Sequence, residues 1–231
     1  MGTAIIIGAG EGLSASLARK LHLRGHTLVL AARNTEKLDA LQKETNATLV
    51  ACDAADANDM EKVFAAADAL GEPIEIAIYN PSARVRGGIT DLDPDAVKSA
   101  ILITSYGAFL MAQQAAKRMI PNGNGAILFT GASAGVKGYP NSSTFAMGKF
   151  GLRGLAQSLA RELHPQGIHI GHFVIDGGIR NAARPERIDA TDKPDSMLDP
   201  EAIADNYLHF LDQPRSSWAW EIEVRPWVET F

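Results

Sequence analysis

TAIIIGAGEGLSASLARKLHLRGHTLVLAAR, Thr3 to Arg33, is the stretch whose reading decides the fold. Ala4 to Ile7 is a short β-branched apolar run that ends in the cluster Gly8, Gly10 and Gly12, and such a run reads as a buried parallel strand. Leu13, Leu17, Ala18 and Leu21 then recur at helical spacing until Gly25, and Thr27 to Ala32 gives a second apolar strand. The whole is one βαβ unit. A glycine loop between its first strand and its helix lets backbone N–H groups at a helix N-terminus approach a pyrophosphate that side chains would hold off. The spacing is Gly-x-x-x-Gly-x-Ser over Gly8 to Ser14; Leu13 breaks the G-x-G-x-x-G pattern, and no Gly-Lys-Ser/Thr follows to make a P-loop. With strand, helix and second strand all in place, the loop is read as a dinucleotide cradle, with Gly8, Gly10, Gly12, Leu13 and Ser14 as its candidate contacts.

The rest of the chain repeats the alternation. Asn34 is placed to open a helix through Leu38 and Leu41, and Ala47 to Cys52 reads as a third strand followed at once by Asp53. Asp56 to Asp59 opens a helix through Val63, Phe64 and Leu70, and Ile74 to Tyr79 is a fourth strand ending at Asn80-Pro81. From Asp93-Pro94 one long helix runs to about Met119, and Ala126 to Thr130 is the fifth strand. A Gly- and Ser-rich loop from Gly131 leads to a helix from near Asn141 to His164, then to a sixth strand, Ile168 to Ile175. Arg180 to Asp199 is polar and carries Pro185 and Pro194, which reads as a mobile lid-like loop with little regular structure. The charges of Arg180, Arg184 and Arg187 in it are diluted by Glu186, Asp189, Asp192 and Asp195, which favours a solvated lid over an anion site. A last helix from about Pro200 to Leu211 and an edge strand within Trp218 to Trp227, closed by Pro226, complete the pattern.

The chain has 231 residues, 46% hydrophobic and 21% charged, enough for a core of its own, so a single domain is expected. A formal net charge of -5 gives no electrostatic case for nucleic acid or an anionic membrane surface. The single cysteine, Cys52, has no partner for an internal disulfide and reads as a small core residue. The first strand begins close to Met1 and no apolar run is long enough to span a bilayer, so a cytoplasmic protein is expected; no metal site is expected either.

Strands alternating with helices imply an α/β fold with a mostly parallel sheet covered on both faces, and right-handed crossovers put every loop that follows a strand on one edge. Gly8 to Gly12, Arg33, Asp53, Asn80, Gly131 to Ser133 and Asp176 to Ile179 all follow strands. One cofactor lying along that edge can touch them all.

At this point the sequence resembles the short-chain dehydrogenase/reductase family along nearly its whole length. The matching pieces are the Gly8-x-x-x-Gly12 loop, Asp53, IYNPSA around Asn80, GASAGVKGYP, and Lys149 on the following helix. The resemblance implies a doubly wound, Rossmann-type seven-stranded sheet, a nicotinamide dinucleotide, a small-molecule substrate, and a homodimer or homotetramer joined through the two long helices. It also implies that the glycine loop faces the pyrophosphate, that Asp53 holds the adenine, that Lys149 reaches the ribose hydroxyls, and that backbone near Gly177 and Ile179 meets the nicotinamide amide. Arg33 directly follows the second strand, where a guanidinium suits an adenosine 2'-phosphate, while Ala32 stands where NAD users place a carboxylate. NADP(H) is therefore expected over NAD(H), although Glu11 in the loop works against it.

The family transfers protons with a serine, a tyrosine and a lysine, with an asparagine on the preceding helix. Aligning GASAGVKGYPNSSTFAMGK leaves Lys149 in place but puts Phe145 at the tyrosine, Ala132 at the serine and Thr104 at the asparagine. Phenylalanine has no proton to give, and loss of a general acid costs about 10² to 10⁴ in rate. Tyr139 and Ser133 are the nearby hydroxyls that stand as alternative donors; each also has a bland reading, as packing for Tyr139 and a loop hydrogen bond for Ser133. Two functions follow: an NADP(H)-dependent oxidoreductase with altered proton transfer, of unknown substrate, or a cofactor-binding sensor or assembly subunit without turnover.

Overall fold

The computed structural model describes residues 1–181 and 184–229; positions 182 and 183 of the expected 180–199 loop lie outside the described residues. The strands are β1 (Thr3–Ile7), β2 (Thr27–Ala32), β3 (Thr48–Ala51), β4 (Ile74–Tyr79), β5 (Gly125–Thr130), β6 (Ile168–Ile175), β7 (Gly178–Ile179), β8 (Met197–Leu198) and β9 (Glu221–Val224). Seven of them form one sheet in the order β3-β2-β1-β4-β5-β6-β9, every pair parallel. The order reverses at β1, where the second half of the sheet grows from β4, and the glycine loop after β1 sits at that switch point.

The side chains of β1 explain why it is central. Ile5 and Ile7 enter a core with Val63 and Phe64 of α3 (Ala57–Asp68), Met111 of α5 (Gly107–Met119) and Leu152 of α6 (Ser143–Leu163). Ala4 and Ile6 point the other way, against Leu17 and Leu21 of α1 (Leu13–Leu23), Leu41 of α2 (Asp39–Thr45) and Tyr207 of α7 (Pro200–Leu211). A strand buried on both faces has no polar side to show, which is why it reads as an unbroken apolar run. The helix starts follow their caps: Asp56 accepts from the Asp59 N–H at 2.9 Å, and Asp93 accepts from the Ala96 N–H at 3.1 Å.

The long helix expected from Asp93 to Met119 is interrupted. α4 (Pro94–Ile101) passes into a π-helical turn over Leu102–Tyr106 before α5 resumes. Such a turn frees a backbone carbonyl from the i to i+4 ladder. Here the buried Tyr79 hydroxyl, at the end of β4, donates to the Ile103 carbonyl. Gly107 lies where a Cβ would run into that same hydroxyl and the Ala54 carbonyl, so the helix comes close to the sheet at this point.

The 180–199 segment holds more regular structure than its composition suggests. Gly178 and Ile179 pair in parallel with Met197 and Leu198, and Asp189 accepts from the Met197 N–H at 2.7 Å while its other oxygen meets Arg180, also at 2.7 Å. β9 closes the far edge of the large sheet, pairing His172 with Glu221 through Ile175 with Val224. Glu221 there meets Arg153 of α6 at 2.7 Å and accepts from the fully buried His172 Nδ1 at 2.9 Å. Burial pushes the His172 imidazole down to about 4, so it is neutral at physiological pH.

Candidate active site

The glycine loop takes its shape from two left-handed residues. Gly8 has φ +77°, and a Cβ on it would lie 2.7 Å from the Pro81 ring; Gly12 has φ +89° and forms the N-terminal boundary of α1. L side chains are strained in both conformations. Between them, a Cβ on Gly10 would meet nothing within 4 Å, so packing within the chain does not call for glycine there, whereas close approach of a ligand does. No side chain caps α1 and its first turn carries no acidic residue, which leaves its N–H groups and dipole available to an anion.

Ser14 is 2% exposed and its hydroxyl is turned into the loop, donating to the Gly8 carbonyl at 3.1 Å and accepting from Asn80 Nδ2 at 2.7 Å. Asn80 also ties its own N–H to the Ile7 carbonyl at 3.0 Å. These two residues hold the loop after β1 against the loop after β4, and Asn80 in addition lines both cavities that flank the loop.

The first cavity, about 680 Å³, runs over the ends of β1, β2 and β3 and is lined by Ala32, Arg33, Lys37, Asp53, Pro81 and their neighbours. Arg33 is exposed, and among the described residues no carboxylate pairs with it or with Lys37, a second cation that the sequence reading passed over. Asp53 is exposed and accepts from the Ala55 N–H at 3.0 Å. The adenosine half of a dinucleotide fits this chemistry, which offers one carboxylate and two cations.

The second cavity, about 270 Å³, lies over β5, β6 and α6 and brings together Gly12, Leu13, Ala132, Phe145, Lys149, Gly177 and Ile179. Lys149 is 2% exposed and donates to the Thr130 carbonyl at 2.7 Å; burial, with Arg84 adding like-charge repulsion, pushes its ammonium down to about 7. Its nitrogen lies 5.9 Å from the centre of the Phe145 ring, one helical turn away. Phe145 and Ala132, which the resemblance sets at the tyrosine and serine positions, pack together with Ala134 as a small apolar cluster that offers no hydroxyl. Thr104 is buried in the π-helical turn, where its Oγ1 accepts from the Ala83 N–H at 3.1 Å.

Tyr139 and Ser133 stand apart from these residues. The Tyr139 hydroxyl donates to Ser133 Oγ at 3.0 Å, and neither residue lines the cavity. Arg84, by contrast, reaches in from the loop after β4 and lays its guanidinium 3.7 Å over the Phe145 ring. The sequence reading missed it. The available signal was the pair Arg84 and Arg86, placed directly after IYNPSA at the carboxyl edge of the sheet. Arg184, which is exposed, and Arg187, which is half-buried, also line this cavity, while Arg180 is held by Asp189 and Asp199.

Comparison with known proteins agrees with this geometry. The family model described as short chain dehydrogenase matches residues 2–187. An uncharacterized oxidoreductase of Staphylococcus aureus (strain USA300) is 26% identical over 226 residues, 96% of each chain. The crystal structure of a short-chain dehydrogenase from Rhodopseudomonas palustris superimposes with a TM-score of 0.83 at 33% identity, covering 97% of this chain and 98% of that one. A metagenomic short-chain oxidoreductase in complex with NADP gives a TM-score of 0.83 at 25% identity, covering 97% of both chains. The glycine cradle, the retained lysine and the strand order thus have one common explanation: the chain belongs to the short-chain dehydrogenase family.

Proposed function

We propose that the protein is an NADP(H)-binding oxidoreductase whose proton-transfer groups differ from those of its family. The observation that carries this reading is the buried Lys149 amine, held by Thr130 in one cavity with an uncapped α1 N-terminus. A lysine kept in the interior at the cost of its hydration has a reason to be there, and the ribose of a dinucleotide supplies one. Gly8 to Gly12 and the start of α1 hold the pyrophosphate, Arg33 and Lys37 the 2'-phosphate, Asp53 the adenine, and the backbone at Gly177 and Ile179 the nicotinamide amide. When bound, the cofactor supplies hydride chemistry. Around the reacting carbon, Phe145, Ala132 and Ala134 give no proton, so the proton that completes a reduction comes from solvent. The substrate suited to such a site is one that needs little proton transfer from the protein, such as an activated double bond. Cofactor fluorescence followed with a panel of ketones and enones tests this: decay with the enones alone supports it, and binding without decay in any case favours a non-catalytic sensor.

Arg33 provides the test of cofactor choice. Calorimetry is expected to show NADPH binding more tightly than NADH, with Arg33→Ala weakening NADPH by about tenfold and leaving NADH nearly unchanged. An unchanged preference in the variant would remove Arg33 from that role.

A homo-oligomer belongs to the same proposal. Tyr106 and Phe109 stack at 6.1 Å and are, with Met147 and Phe150 of α6, among the exposed large apolar side chains on the two long helices. Light scattering at micromolar concentration is expected to give a dimer or tetramer; a monomer would refute it.

A further inference from the structure

The residue at this site that neither the cofactor nor the fold accounts for is Arg84. Its guanidinium carbon lies over the Phe145 ring, 3.7 Å from the ring centre, inside the cavity that Lys149 and Ala132 line. Stacking uses the face of the guanidinium and leaves its N–H groups pointing outward in the plane. Among the described residues no carboxylate meets Arg84; its charged neighbours are Arg187 and Arg86, whose repulsion adds to desolvation in holding the group below the ordinary arginine value. Among the described residues Glu11 is the one acidic residue lining the cavity, against Arg84, Arg180, Arg184, Arg187 and Lys149, and of these Arg180 is neutralised by Asp189.

An excess of cations in a concave site calls for an anion from outside the chain. The cofactor phosphates meet part of this need, since Arg184 lines both the adenine-side cavity and this one. Arg84 lines only the cavity of Phe145 and Lys149, beyond the glycine loop, where a substrate lies next to the nicotinamide. A planar fork on an aromatic platform matches a carboxylate, which accepts two parallel N–H bonds from one guanidinium.

We propose that the substrate is a small carboxylate, and that Arg84, seated on the Phe145 ring in the Lys149 cavity, receives its anionic group. This rests on the oxidoreductase reading for the identity of the neighbouring ligand. It also gives Phe145 a purpose: a flat ring at this position supports the receptor. The volume of about 270 Å³, shared with the nicotinamide, limits the substrate to a few heavy atoms beyond the carboxylate.

The test is calorimetry with 4-oxopentanoate, its methyl ester, 2-oxobutyrate, its amide and inorganic phosphate, on protein with and without saturating NADPH. The expected result is that each carboxylate binds at least about tenfold more tightly than its neutral counterpart, and that Arg84→Met abolishes the difference while NADPH affinity holds within about threefold. Arg84→Lys, which keeps the charge and loses the fork, is expected to restore only part of it. Equal binding of carboxylates and neutral partners, or binding of none, overturns the proposal. So does phosphate binding more tightly than the carboxylates, or a loss of NADPH affinity in Arg84→Met as large as the loss for carboxylates. Should the wild type bind neither NADPH nor NADH, the cofactor reading fails by itself, and the titration without cofactor still decides whether Arg84 selects carboxylates.

Discussion

Replacing Lys149 by methionine is expected to raise the melting temperature of the cofactor-free protein at pH 7 and, in the same variant, to weaken dinucleotide binding by about 10². The two effects share one cause. The ammonium sits 2% exposed with a single carbonyl partner and a repelling arginine, and its pKa falls from 10.5 to about 7 on folding. Between those two values the unfolded chain binds the proton and the folded chain does not, so stability rises with pH across that window, and the full penalty applies below about pH 7. At about 1.4 kcal/mol per unit the penalty is several kcal/mol, reduced in the variant by the Thr130 carbonyl left without its donor. A net gain of roughly 2 to 3 kcal/mol corresponds to about 5 to 10 °C in a chain of this size. Melting curves of wild type and variant from pH 6 to 10.5 are expected to converge and then cross as the wild-type amine becomes neutral in both states. A gap that does not narrow with pH would show that the amine is charged and well solvated in the folded protein.

Restoring the hydroxyls produces the largest change expected in chemistry. Phe145→Tyr with Ala132→Ser is predicted to raise ketone reduction by about 10² or more over the wild type, because it returns a general acid and its partner to a cavity that still holds the lysine. The wild type itself should reduce plain ketones little or not at all. Phe145 and Ala132 already pack together beside Lys149, so both new hydroxyls arise within one cavity. Steady-state assays with NADPH and a ketone panel on the wild type, both single variants and the double variant measure it. Fast ketone reduction by the wild type that disappears in Tyr139→Phe would instead place the acid at Tyr139, whose hydroxyl now donates to Ser133.

How much of this was legible in the sequence depends on the range over which each feature is determined. The strands were readable because Ala4 to Ile7, Ile74 to Tyr79 and Ile168 to Ile175 are buried on both faces but for the half-buried Glu75, and two-sided burial writes itself as a mostly apolar run. The caps at Asp56 and Asp93 were readable because a cap acts within three residues. The π-helical turn was not, since its 3.6-residue pattern continues almost undisturbed while the cause, the Tyr79 hydroxyl at Ile103, lies in another element. Phe145 and Ala132 were visible as departures from the motif that the sequence resembles. The position of Arg84 over Phe145 was not, because the direction of a side chain from the loop after β4 depends on the path of that loop over α6, and no local pattern specifies it. For the same reason Arg184 and Arg187 read as diluted charge in one dimension and line a cavity in three.

The pairing of β9 with β6 has a consequence for how the molecule is made on the ribosome. β6 ends at Ile175 but its outer edge is closed only when Glu221–Val224 has been synthesised and has left the exit tunnel. Until then a strand whose eight residues are all buried in the finished protein presents an open row of backbone donors and acceptors, with Phe173 and His169 still lacking the aromatic cover of Tyr207, Phe210 and Trp218. A nascent chain stalled between Gly178 and Trp220 is therefore a template for pairing with other chains. Reading frames cut short in this interval are the ones expected to accumulate as aggregates, while the last strand of the sheet acts in the finished chain as the seal on its folding history.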